Sequence, residues 1–165
     1  MLEVEKWLDE RHILAVVFGL DTLARTGGKF FDGALETLEM FRKTEIRMGL
    51  IAYENIGWVN FMLDLGVGKF DHIEIVNPFG DRGPQDWRNA FGALKIWPQN
   101  GIVVGDNLPE DIHEIGVRYS VCVSRNGEIH RAKTGHEGTI NIGSVACVTS
   151  ALLVAGRLRN KVMVK

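Results

Sequence analysis

The chain has 165 residues, 45% of them hydrophobic, enough for one ordinary globular domain with a buried core. Its 19 basic and 21 acidic residues leave a net charge of −2, which argues against broad nucleic-acid or anionic-membrane binding. The longest weakly polar runs, "ILAVVFGL" and "SVACVTSALLVAG", fall short of the roughly 18–20 residues that cross a bilayer, so the expectation is a soluble cytoplasmic protein with no membrane partner.

The opening "MLEVEKWLDERH" is charged throughout, lacks the apolar centre of a signal peptide, and is read as an N-terminal extension over 1–12. An apolar strand follows over Leu14–Phe18. "ARTGGKFF" then reads as a hairpin turning on Gly27-Gly28. A helix is predicted over Asp32–Arg42, where Ala34, Leu35, Leu38 and Phe41 recur on one face. A strand over Arg47–Ala52 leads to a helix over Gly57–Leu65, with Trp58, Phe61, Met62 and Leu65 on one face and Gly66 as its stop. Next come a strand at His72–Val76, a helix at Pro84–Leu94, a strand at Gly101–Val104, a helix at Pro109–Ile115 and a strand at Ser120–Val123. "VCVSRNGEIHR" reads as a second hairpin, turning on Asn126-Gly127. "GSVACVTSALLVAGRLR" reads as a short strand running into a helix, with a basic tail over 159–165.

No repeat, low-complexity tract or linker divides the sequence, so 1–165 is read as a single domain. Strands apolar on both faces and separated by helices imply a mostly parallel sheet in a three-layer α/β/α sandwich of Rossmann-like type. In such sheets functional groups gather in loops at the carboxyl ends of the strands.

Two places at those ends could carry chemistry. "GIVVGDNLPEDI" is an apolar strand that ends in Gly105, with Asp106 just beyond it and Asp111 five residues later. Two carboxylates so spaced suit a hard cation such as Mg²⁺. The same residues also suit a plain helix start, with Asp106 or Asn107 as cap and Pro109 in the first turn. Asp21, just past the first strand, is the second place. If that strand lies beside Gly101–Val104, Asp21 comes near Asp106.

Other candidates are weaker. Cys122 and Cys147 stand alone in apolar surroundings and read as two buried structural thiols. The five histidines show no metal-ligand spacing, and a zinc site at His130 and His136 has no second pair of ligands. Trp58, Trp87 and Trp97 fall on helices or just beyond, where core or interface packing is the simpler reading. "RAKTGHEGT" lacks the order of a phosphate-binding loop, and "SRNGEIHRAK" reads as a solvated basic hairpin.

From about residue 13 to 158 the chain resembles the haloacid dehalogenase-like (HAD) hydrolases. "VVFGLDTL" is similar to the family's first motif, a strand ending in Asp-x-Asp, and "GIVVGDNLPEDI" is similar to its fourth. Between them the order flap hairpin, helix, second strand also matches. The resemblance implies a nucleophilic Asp, an Asp acid/base two residues on, and Mg²⁺ held by the motif carboxylates. It places Gly19 at the nucleophile and Asp21 at the acid/base, with Asp21, Asp106 and Asp111 as the remaining carboxylates for a metal. The second motif's phosphate-holding Ser or Thr matches Ala52, and no Ser or Thr occurs from Glu45 to Tyr119. The third motif's Lys is missing ahead of the Pro84 helix, where only Arg82 stands; Lys69 and Lys95 are poorly placed.

The expectation is therefore a HAD-like protein that lacks the nucleophile, the phosphate-binding hydroxyl and the Lys. It acts by binding a protein partner, a second copy of itself, or a residual ion in the old crevice, and holds Mg²⁺ weakly if at all. The alternative is a Mg²⁺-dependent phosphatase-type hydrolase with a rebuilt mechanism using Asp21 and Asp106. The short spans from Thr22 to Arg47 and from Glu54 to Phe79 imply a capless member with an open crevice.

Overall fold

A computed structural model describes residues 3–25, 29–53, 70–77, 83–106, 108–124 and 138–163, with side chains as far as 155. The predicted helix over 57–65, the Asn126-Gly127 hairpin, Arg82, Lys69, Trp58, His130 and His136 lie outside the described residues.

The elements in order are α1 (Glu3–Glu10), β1 (Ala15–Gly19), the one-turn α2 (Leu20–Leu23), β2 (Ala24–Arg25), β3 (Lys29–Phe30), α3 (Ala34–Arg42), β4 (Arg47–Ala52), β5 (His72–Ile75), α4 (Pro84–Leu94), β6 (Gly101–Gly105), β7 (Tyr119–Val123), β8 (Thr139–Ile142) and α5 (Val148–Met163). Six strands form one sheet in the order β5-β4-β1-β6-β7-β8, and every neighbouring pair is parallel. β2 and β3 pair antiparallel as the flap hairpin predicted from "ARTGGKFF".

Side chains alternate between two cores, as the period of two in a strand requires. Val16, Phe18, Met48, Leu50, Ile102 and Val104 face a core shared with α1, α3 and α5. Ala15, Val17, Ile51, Val103 and Cys122 face the other, closed by α4 and a 3-10 turn at Ile112–Ile115. This is the three-layer α/β/α sandwich expected, and its central strands are buried throughout. Burial pushes the Cys122 thiol up to about 12, so it stays protonated at neutral pH, whereas Cys147, expected to be buried, is exposed on the 3-10 turn that leads into α5.

Several elements differ from the sequence expectation. Within the supposed extension, Glu3–Glu10 is a helix whose Val4, Trp7 and Leu8, spaced i, i+3, i+4, enter the core. Trp7 packs on Tyr119 of β7 at a centroid distance of 5.3 Å, and the Arg11 guanidinium lies over the Trp7 ring at 4.5 Å. His12 then adopts a left-handed backbone (φ 54), and the Ile13 amide closes on the Leu8 carbonyl, which turns the chain into β1.

α3 starts at Ala34 rather than Asp32, because Gly33 takes φ +82 at its cap, where an added Cβ would also strike Ala146. The helix expected at Pro109–Ile115 tightens to the 3-10 turn. The strand expected after Gly143 is not formed. Ser144 accepts a hydrogen bond from the Ala146 amide, and this starts a 3-10 turn that continues into α5. The last strand is instead β8, and α5 runs through most of the supposed tail to Met163. No described helix is long and apolar enough to cross a membrane.

Because Trp7 is 5% exposed, Trp7→Ala is expected to cost about 3–5 kcal/mol in a urea unfolding curve. A dispensable extension would leave the midpoint unchanged.

Candidate functional site

The chain reverses direction across the sheet between β1 and β6. After β1 it fills β4 and β5 on one side, then returns to β6 on the other. Ligands of open α/β sheets bind at the carboxyl ends flanking such a switch point. β1 and β6 are direct neighbours, with Phe18 opposite Val104, as the sequence reading required. Their ends carry the two exposed carboxylates Asp21 and Asp106.

α2 explains how Asp21 is presented. Within this single turn Leu20, Thr22 and Leu23 are buried and only Asp21 is exposed. The turn is anchored at Gly19, whose backbone is extended (φ −78, ψ 134) and pairs with Ile51 of β4. A Cβ built on Gly19 would lie 2.8 Å from Asp21 Oδ1, 3.6 Å from Trp87 Cη2 and 3.7 Å from Thr22 Oγ1. The Asp21 carboxylate thus lies close to the Gly19 backbone, and a side chain at Gly19 would require that carboxylate to shift.

Trp87, in the first turns of α4, forms the floor. It is buried, and its Cη2 lies 3.3 Å from the position of a Cβ on Gly105 as well. The indole edge thus sits against both glycines where β1 and β6 end. Its Nε1–H has no hydrogen-bond acceptor among the described residues. Gly105 is also approached by Leu108, whose Cδ2 would be 2.7 Å from an added Cβ.

Ala52 closes β4 with no exposure and joins the α1–α3–α5 core. The position matched to a phosphate-holding hydroxyl is thus apolar and interior. Asp111 is half-buried, and it stands at the N-cap of the 3-10 turn without a side-chain capping bond. Lys95 lies at the C-cap of α4, the far end of the helix from the site, as its sequence position suggested.

Tyr53 and Asp86 were missed in the sequence. The Tyr53 hydroxyl donates to Asp86 Oδ2 at 3.3 Å and ties the end of β4 to the first turn of α4. A tyrosine directly after a buried strand and an acid in a helix's first turn were the available signals. Thr22, fully buried beside Gly19, was also passed over.

The donor set was tested against Mg²⁺. Among the described residues no three His, Cys, Asp or Glu groups converge as a metal site, and Asp21, Asp106 and Asp111 are all described. Mg²⁺ asks for near-octahedral oxygens, and Gly19 contributes no carboxylate. Asp21, Asp106 and Asp111 do not by themselves form a side-chain set that fits Mg²⁺.

No family model matches the chain, and no curated protein matches it. Solved structures do. D,D-heptose 1,7-bisphosphate phosphatase from B. bronchiseptica, solved with magnesium and phosphate, is 15% identical with a TM-score of 0.64, over 86% of this chain and 98% of that one. The core domain of a candidate phosphoglycolate phosphatase from Streptococcus pneumoniae TIGR4 is 18% identical, TM-score 0.60, over 83% of this chain and 93% of that one. A haloacid dehalogenase-like family hydrolase from Xanthomonas campestris is 13% identical, TM-score 0.63, over 81% of this chain but only 57% of its own length. The chain has the HAD-like fold.

Gly105→Ala is expected to destabilise by about 1–3 kcal/mol, because Leu108 and the buried Trp87 leave no room for a methyl group. Equilibrium denaturation measures this, and an unchanged stability would mean that the indole is not wedged between the strand ends.

Proposed function

We propose that this protein is a HAD-like module that does not transfer phosphoryl groups by the family's route and acts through binding at the crevice between β1 and β6. The observation that carries this reading is the contact at Gly19. Glycine offers no nucleophile, and the neighbouring Asp21 Oδ1 lies 2.8 Å from where a Cβ there would stand. The interior Ala52 supports it, since no hydroxyl stands there to hold a phosphate. Loss of a covalent nucleophile alone costs on the order of a million-fold in a comparable triad enzyme. The crevice is read as capless and open, because the flap and α3 take up the chain between Leu23 and β4.

Pure protein is expected to release no phosphate from a generic aryl phosphate with Mg²⁺. Gly19→Asp alone is expected to gain no activity. It restores a carboxylate but neither the hydroxyl nor the Lys, and it sets two acids in contact. Mg²⁺-dependent hydrolysis by the wild type that Asp106→Asn abolishes would overturn the reading.

A second reading draws on the same contact. The Asp21 carboxylate stands close to where the nucleophile's side chain would be, so a rebuilt hydrolase would use Asp21 to activate water beside Asp106. It requires that the wild type turn over some member of a broad phosphate-ester panel and that Asp21→Asn remove that turnover. Silence across the panel ends this second reading.

A further inference from the structure

The six-stranded sheet has two outer strands, β5 and β8. Outer strands present unpaired backbone groups, and proteins guard them with charge, proline or bulges. β5 is guarded. Asp71 precedes it, and within it His72 Nε2 lies 2.7 Å from Glu74 Oε2. β8 has no such protection. Thr139–Ile142 with the following Gly143 and Ser144 reads "TINIGS", which holds no charge and no proline.

Hydrogen bonds show which way the backbone of β8 points. The Ser120 amide donates to the Gly138 carbonyl at 2.9 Å, and the Ser124 amide to the Ile142 carbonyl at 2.8 Å. Gly138, Ile140 and Ile142 therefore face β7 through the backbone, and by alternation Thr139 and Asn141 turn their N–H and C=O outward. These outward groups meet no strand among the described residues. Side chains alternate as well. Ile140 and Ile142 pack on the core shared with α5 but stay partly exposed at the edge. On the opposite face, His113 Nε2 lies 2.9 Å from both Thr139 Oγ1 and Ser120 Oγ. That bridge ties β8 to β7, so the edge is ordered before any partner arrives.

We propose that β8 pairs antiparallel with β8 of a second copy about a two-fold axis at Asn141, which joins the two sheets edge to edge. The register follows from the outward groups. Asn141 faces the partner's Asn141 and Thr139 faces the partner's Gly143, so outward donors meet outward acceptors. Ile140 then stands opposite the partner's Ile142 in a non-hydrogen-bonded pair, where side chains come closest. A second copy suits this edge because the segment matches itself. About the axis apolar meets apolar, amide meets amide, and no like charges face each other. The net charge of −2 sets little repulsion between copies. Gly143 has open space where a side chain would stand, which leaves room for the crossing strand. The contact is separate from the crevice reading, since β7 lies between β8 and β6.

Sedimentation velocity of the full chain tests this. A monomer–dimer equilibrium is expected with a Kd of about 10–100 μM, as suits a contact at the low end of interface size. The two-fold closes the contact, so mass stops at two copies. Being uncharged, the association should change less than about threefold between roughly 0.05 and 0.5 M salt. Asn141→Lys sets like charges opposite each other, and Asn141→Pro removes an N–H that points to solvent in the monomer. Each should weaken dimerisation at least about tenfold. Asn141→Lys serves alone if the proline variant does not fold. With Cys147→Ser removing the exposed native thiol, Asn141→Cys should give a disulfide-linked dimer under mild oxidation. Residues facing each other in a hydrogen-bonded pair sit about 5.5 Å apart at Cα, within bridging range. Leu14→Cys in the same background, exposed at the amino end of the sheet, should not.

A wild type that stays monomeric up to about 1 mM overturns the proposal, even if it binds a free TINIGS peptide. So does a dimer that Asn141→Lys leaves intact, mass that grows beyond two copies, or cross-linking no better at Asn141→Cys than at Leu14→Cys.

Discussion

The parallel pairing of β1 with β6 is the constraint on which the rest of the structure depends. It places two sequence segments more than eighty residues apart in register, Ala15 opposite Gly101 through Phe18 opposite Val104. Both strands are apolar on both faces, so they are stable only at the centre of a sandwich with helices on each side. Once they are there, the residues just past each strand must emerge together at one end. Asp21 and Asp106 emerge at the same end of the sheet because Val16–Phe18 and Ile102–Val104 share two cores.

The same pairing fixes what the crevice floor can be. Gly19 and Gly105 end adjacent strands, and the Trp87 edge closes against both. Bare backbone at two strand ends admits an indole where side chains would exclude it. Packing density makes such a fit specific, because a single added methyl has nowhere to go. Gly19 leaves the Asp21 carboxylate close above the strand end, and Ala52 is part of the core.

Charge and dipole reinforce this geometry. Helices that start at the carboxyl end and finish at the amino end favour acids at one and cations at the other. Glu36 and Asp86 stand in the first turns of α3 and α4, and Arg42 and Lys95 at their far ends.

The central strands, α4 and the flap were legible in the sequence because each is a local signal. Apolar runs, one-face spacing and a Pro at a helix start act over a few residues, and burial confirms them. The switch-point carboxylates were legible for the same reason, as acids directly after apolar strands. What local pattern could not supply was the role of 1–12, where Val4, Trp7 and Leu8 look like stray apolar residues until Tyr119 provides a surface for Trp7. Nor could it separate β8 from the segment after Gly143, since four residues of "TINI" gain strand character only from β7 beside them. The sequence alone determined that Gly19 has no side chain to react. Only the tertiary structure decided what lies against it, because the Asp21 carboxylate and the Trp87 edge reach Gly19 through packing of α2 and α4 that no spacing rule encodes.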